Sequence, residues 1–276
     1  MAVWICAACG IEHPDTAGPP VRCEICLDER QFVPASGQAW TTSATLEKSG
    51  TTSSVVRVAA SLHRIIVAPA VAIGQRSLLV TTPDGNLLWD PSGYIDASMI
   101  DAVRDLGGIA AVALSHPHMT GAAVSWARTF DVPLYFCRDD AGWIRRPDER
   151  IRLWSGTAEL GGGIRLVQCG GHFAGSCVAH VPGIGGGALL TGDTIFPGPG
   201  TVSAMRSYPN KIPLPERAIR TILRALADYE YERLYGSFEN DIAAGASAIV
   251  KRSLGRYIEW VRGEADMTEP SGFSGR

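Results

Sequence analysis

Charge is sparse in this 276-residue chain: charged residues make up 19% and the formal net charge is −3. Globular domains carry about 25% charged residues, so the shortfall predicts a large buried core. The 46% of hydrophobic residues agrees with that. No basic block is present, which argues against a general nucleic-acid binder. No apolar run reaches the ~18 residues of a transmembrane helix, so no membrane association is expected. The segment Met1 to Cys6 shows no basic region followed by a long apolar stretch, so no signal peptide is expected and the expected compartment is the cytoplasm. Cysteine is odd in number, at seven, which without a secretory signal argues against a disulfide framework. No sequence repeat is visible. Glycine, by contrast, is abundant at 31 residues and clusters in loops.

Four of the cysteines form two pairs of equal spacing, Cys6-x2-Cys9 and Cys23-x2-Cys26. Two intervening residues let both thiolates of a tight turn face one ion, and a second such turn completes the tetrahedron that zinc prefers. Residues 1–35 thus resemble a zinc ribbon or rubredoxin-like module, with short strands expected at Gly10–Glu12 and Gln31–Val33. A module of this size cannot build its own core, so a structural zinc supplies much of its folding energy. The remaining cysteines, Cys137, Cys169 and Cys177, lie in apolar surroundings and read as buried free thiols.

Residues 36–54 are rich in Ser and Thr and read as a linker, or as an arm packed through Trp40 and Leu46. From 55 to 262 the texture is that of a second domain. Val55–Val58, Ile65–Val67 and Ser77–Val80 read as strands. Pro83–Asn86 is a hairpin turn into Leu87–Asp90. Asp96 can cap a helix over 97–106. Ile109–Leu114 is a continuous apolar run, as in a strand buried on both faces. A helix near 121–130 and a strand at Val132–Phe136 follow. In the second half Ile164–Cys169, Ser176–Val181 and Ala188–Thr191 read as strands. Helices are expected over 214–228 and 241–261, and a disordered tail over 263–276. Two halves that each mix strands and helices predict an α+β fold with layered αββα packing.

Three of these strands run into polar loops. Ile109–Ser115 leads to His116-Pro117-His118, Ile164–Cys169 to Gly170-Gly171-His172, and Ala188–Thr191 to Gly192-Asp193. Neutral imidazole is a favoured ligand of zinc and iron, and two histidines one residue apart can reach one ion. Half of the six histidines fall at these loops.

The order of these pieces resembles the metallo-β-lactamase-fold superfamily. The family's His-x-His-x-Asp-His motif reads here His116-Pro117-His118-Met119-Thr120-Gly121. Its Gly-His loop reads Gly171-His172-Phe173-Ala174-Gly175-Ser176, and its Thr-Gly-Asp reads Thr191-Gly192-Asp193. Leu88-Trp89-Asp90 looks like the family's apolar-Asp strand end, whose Asp supports the metal loop. The resemblance covers about residues 55–260. It implies a four-layer αββα sandwich, and the ribbon points to a subgroup with a degenerate second metal site. A first metal site of His116, His118 and His172 is implied. For the second site, Thr120, Gly121 and Ser237 stand where the family has ligands, and Asp193 alone survives. Ser and Thr hydroxyls are weak ligands beside carboxylate and imidazole, so one ion is expected. Of the other histidines outside the ribbon, His63 is spare and His180, on a strand leading away, reads as structural.

Three functions follow from this pattern. The first is a mononuclear hydrolase of an ester, thioester, lactone or phosphoester. One zinc or iron ion there would lower the pKa of its water from 15.7 to about 7. Asp193 would orient that water, act as general base, or be a fourth ligand. Arg206 and Tyr208 are candidates to meet an anionic substrate, or are surface loop residues. The second is a mononuclear iron dioxygenase, since two histidines and a carboxylate match the facial-triad pattern. The third is a non-catalytic binding protein with the ribbon as docking module. The expected partner is a small-molecule substrate, with nucleic acid and membrane not expected; a homodimer is compatible with the sequence.

Overall fold

Strict alternation sends neighbouring side chains of a strand to opposite faces. Leu78 and Val80 face one way and Leu79 the other; Leu87 and Trp89 likewise oppose Leu88. In the computed structural model, which describes residues 2–265, this pattern builds two packed sheets. The first has seven strands, in spatial order Ile151–Trp154, Leu134–Cys137, Ala111–Ala113, Leu87–Trp89, Ser77–Val80, Leu62–Ala68 and Thr52–Ala59. The first four of these run parallel and the rest antiparallel. The second has five: Thr157–Glu159, Arg165–Gln168, Cys177–Val181, Ala188–Leu190 and Arg233–Tyr235.

Between the sheets lie Val80, Trp89, Ala113, Leu166, Ala179 and Leu190. The helices are α1 (Ser43–Lys48), α2 (Ala97–Asp105), α3 (Ala123–Phe130), α4 (Glu216–Ala225) and α5 (Ala246–Arg262). Met99 and Val103 of α2 and Val124 and Trp126 of α3 cover the outer face of the first sheet. Ile219 and Ile222 of α4 and Val250, Leu254 and Ile258 of α5 cover the second. The result is the expected αββα sandwich. Asp96 caps α2, its Oδ1 accepting from Met99 N at 2.6 Å.

The N-terminal module differs from expectation in its strands. Gln31–Val33 forms no strand; the third strand of its sheet is Trp40–Thr41, paired with Ile5 and Cys6. Residues 36–54, read as a linker or a packed arm, carry elements of their own. They hold that strand and α1, and the first sheet begins at Thr52 rather than 55. The Trp40 ring meets His13 edge-on at 4.8 Å, which anchors the segment.

The module is also docked on the sandwich. Glu12, 1% exposed, reaches the N-terminus of α3, which has no capping side chain of its own. Its Oε1 accepts from Val124 N and Ser125 N at 2.5 and 3.0 Å. Oε2 accepts from Ser125 Oγ and from Arg146 Nη1, each at 2.6 Å. Burial outweighs the pull of Arg146 and holds this carboxyl above its ordinary range. The tail expected over 263–276 lies outside the described residues from 266 onward.

Candidate metal centre

The chain leaves each of three buried strands at the same edge of the sandwich. Ala111–Ala113 delivers His116 and His118, the turn after Arg165–Gln168 delivers His172, and the turn after Ala188–Leu190 delivers Asp193. One nitrogen from each histidine lies within 4.8 Å of those of the other two, and the three residues are 1–3% exposed. Their Nε2 atoms are buried without a hydrogen-bond partner, as is Asp193 Oδ1. Three orphaned ring nitrogens around one point are costly unless something shared satisfies them. A divalent cation fits that donor set.

The other ring nitrogens determine which atom is free. His172 Nδ1 lies 3.1 Å from the carbonyl of Met205, which can only accept, so Nδ1 carries the proton and Nε2 the lone pair. His116 Nδ1 is 2.8 Å from Ser115 Oγ, which in turn donates to Asp90 Oδ2 at 2.7 Å. Asp90 Oδ1 accepts from Ser115 N at 2.7 Å. With Asp90 ionised, Ser115 gives its one proton to Asp90 and takes one from His116 Nδ1, again freeing Nε2. Burial pushes Asp90 up to about 8, and a cation at Nε2 favours its ionised form. The family resemblance implied an Asp90 behind the metal loop, and in the structure Ser115 stands between it and His116.

Burial lowers all three imidazoles, His172 to about 4, so they are neutral and able to ligate near pH 7. Burial raises Asp193 to about 7. Its Oδ2 stands 3.9 Å from His116 Nε2, its side chain 14% exposed. Phe173 fixes the rings, stacked on His116 at 5.7 Å and edge-on to His118 at 4.7 Å. Gly192 lets the Asp193 turn approach: a Cβ there would lie 2.1 Å from Ser115 Oγ, at φ +50°.

Of the positions where a second ion would need ligands, Thr120 and Gly121 are engaged elsewhere. Thr120 Oγ1 donates to Pro117 O at 2.8 Å. Gly121 sits at φ +46°, where a Cβ would lie 1.9 Å from Pro91 O, and its carbonyl accepts from Glu12 N at 3.0 Å. The Ser237 hydroxyl is buried without a partner. His63 lies on the strand Leu62–Ala68, opposite Arg57 and Leu79. His180 Nε2 donates to the Glu230 carbonyl at 2.9 Å, a structural role.

The cluster opens on a cavity of about 470 Å³ lined by His118 and Asp193, by Met119, Phe196, Tyr208 and Phe238, and by Arg30 and Phe32 from the ribbon. Arg206 does not line it; its guanidinium pairs with Glu29 at 2.9 Å, in keeping with the surface-loop alternative. Tyr208 contributes its ring, but its hydroxyl donates to the carbonyls of Asp193 and Ser203 at 3.0 and 3.2 Å. Sequence reasoning missed Asp28, whose Oδ1 lies 3.8 Å from His118 Nε2, and Arg30. Both follow the second cysteine pair, where charged residues read as an ordinary turn.

At the other cluster, Cys6, Cys9, Cys23 and Cys26 bring their four sulfurs within 4.8 Å. The Cys6–Cys26 and Cys9–Cys23 separations are 3.5 and 3.6 Å. A tetrahedron with Zn–S bonds of ~2.3 Å has edges of about 3.8 Å, so four thiolates could hold such an ion here. His13 Nε2 lies 3.6 Å from Cys23 Sγ.

This fold, with a histidine cluster at its sheet edge, defines a class. The metallo-beta-lactamase superfamily model matches residues 72–237, more than half of the chain, and the chain belongs to that superfamily. It is 39% identical to the uncharacterized protein YmaE of Bacillus subtilis (strain 168), over 96% of this chain and 98% of YmaE. Among solved structures it resembles VMB-1, with TM-score 0.54 and 12% identity over 76% of this chain and 98% of that one. It also resembles the metallo-beta-lactamase FIM-1 from Pseudomonas aeruginosa in its mono-zinc form, with TM-score 0.53 and 15% identity over 75% and 96%. At those identities the likeness is one of fold.

Proposed function

We propose that the protein is a metal-dependent hydrolase with one cation at the His116, His118 and His172 cluster, zinc being the ion that best suits this donor set. The observation that carries the reading is the set of three buried, unpartnered Nε2 atoms and the unpartnered Asp193 Oδ1, next to a cavity that His118 and Asp193 line. A cation bound there supplies Lewis acidity and lowers the pKa of a water to about 7. The chain's own residues do the rest. Asp90 and Ser115 hold the His116 tautomer, and the Met205 carbonyl holds that of His172. Asp193, raised to about 7, accepts a proton from water at its free Oδ1 and can return it to a leaving group. Met119, Phe196, Phe238 and Phe32 give the cavity apolar walls, which suit a substrate with an apolar body beside the bond to be cleaved. The ribbon cysteines hold a second zinc for structure.

The test is metal analysis of protein purified without added metal, followed by assay on esters, thioesters, lactones and phosphoesters. We expect one cation beyond that of the ribbon and turnover in one of these classes. Asp193→Asn should keep most of the cation and lose about 10²–10⁴ in rate. Iron with oxygen uptake and no hydrolysis would favour the dioxygenase reading instead. A fully active Asp193→Asn variant would remove the assigned role.

A further inference from the structure

Asp28 lies two residues past the ribbon cysteine Cys26, yet its carboxylate stands at the histidine cluster. Its Oδ1 is 3.8 Å from His118 Nε2, much as Asp193 Oδ2 is 3.9 Å from His116 Nε2. Both of those ring nitrogens are buried and unpartnered. Two ligand atoms each ~2.0 Å from a tetrahedral zinc are separated by about 3.3 Å, so Asp28 is within about 0.5 Å of that spacing from His118, while its oxygens are not within 4.8 Å of all three histidine nitrogens and have to draw in toward the other two.

The carboxylate is held beside His118. Arg30 donates from Nε to Oδ1 at 2.6 Å and from Nη2 to Oδ2 at 2.7 Å, and its backbone N donates to Oδ1 at 2.9 Å. The same guanidinium donates from Nη1 to the His172 carbonyl at 3.0 Å and lies 3.4 Å over the Phe173 ring. The two side chains are 9% and 11% exposed, unlike a pair on open surface. One arginine thus ties a ribbon carboxylate to the loop that carries the third histidine.

We propose that the ribbon is part of the active site: Asp28 is a further ligand, beside the water rather than in its place, of the same cation as His116, His118 and His172, and Arg30 is its positioning residue. The inference rests on the reading that these histidines hold a cation. It gives the ribbon a function beyond stability, because Cys26 and Asp28 are separated only by Leu27.

The test uses the full chain loaded with cobalt(II), whose thiolate bands report the ribbon and whose weaker d–d bands report the histidine site. Affinity at the histidine site is measured by chelator competition. Asp28→Asn should weaken it at least tenfold and alter its d–d band, with the thiolate bands unchanged; even outer contacts to ligands carry about 10–100-fold. Asp28→Glu, which keeps a carboxylate, should retain more affinity than Asn, and Arg30→Gln should cause a smaller loss. Affinity within twofold of wild type and an unchanged d–d band in Asp28→Asn would overturn the proposal, as would Glu binding no better than Asn. A wild-type chain that takes up cobalt in the ribbon alone would overturn the hydrolase reading as well.

Discussion

Replacing Glu12 by Ala should separate the ribbon from the sandwich. The carboxylate accepts four hydrogen bonds, from Val124 N, Ser125 N, Ser125 Oγ and Arg146 Nη1. Its removal uncaps α3, which costs ~1 kcal/mol. It also strips a partner from Arg146, itself 6% exposed. Breaking a buried ion pair costs about 3–5 kcal/mol, since a charge is left behind. Asp15 still accepts from Arg146 Nη2 at 3.1 Å, so the lower part of that range applies. The two effects share one carboxylate and are not fully additive, which leaves a loss of about 3–4 kcal/mol. Against a total stability of about 5–15 kcal/mol this is large. The assay is denaturant unfolding followed by tryptophan fluorescence, with limited proteolysis of the native protein. The variant should unfold at markedly lower denaturant and be cleaved between the ribbon and Thr52. Glu12→Gln, which keeps acceptors for the helix, should fall between. A loss under about 1 kcal/mol with the ribbon still protected would refute the argument.

The features legible in the sequence are those written locally. The two-residue period of Leu78–Val80 and Leu87–Trp89 sorts side chains to the two faces of a sheet, and each face finds its expected layer. The cysteine pairs carry their geometry in their spacing, and Asp96 caps the helix that starts after it. The histidines stand out because polar residues end runs of buried ones. What was not legible depends on chain segments meeting from far away. Glu12 reads as a strand residue and Arg146 as a loop residue; only docking makes them a pair. Asp28 follows Cys26 in what reads as a solvated turn, and nothing local says that His118 lies beside it. Arg206 is the position where two readings stand side by side. A cation soon after Asp193 invites a substrate, but Glu29 of the ribbon reaches it first. A short hairpin, Met205–Ser207 with Ile212–Pro213, sets the direction of Tyr208, and its few residues carry no periodic signal.

Two further predictions follow from buried polar groups. Ser115→Ala should cut the link between Asp90 and His116 Nδ1 and weaken cation affinity at the histidine site about 10–100-fold, measured by chelator competition; unchanged affinity would remove the relay. Asp140 should make stability depend on pH. Its Oδ1 accepts from Gly175 N at 2.9 Å, while Oδ2 is buried with no partner. Burial pushes this carboxyl from 3.8 up to about 6, so the fold prefers the protonated form. Between those values the native state binds the proton and the unfolded state does not. The contribution is therefore fully present below pH ~3.8 and is lost as pH rises through about 6. The loss between pH 5 and pH 8 is about 1.4 kcal/mol at 1.36 kcal/mol per pKa unit. Asp140→Asn cannot ionise and keeps an acceptor for Gly175 N, so it should escape that loss. Denaturant unfolding of both proteins at pH 5 and 8 isolates the effect, because the fixed cost of the buried amide and the titration of every other group cancel in the double difference. The Asn variant should gain about 1–2 kcal/mol on wild type over that interval. A double difference near zero would mean that the unpartnered oxygen is satisfied in solution and that Asp140 is ionised throughout.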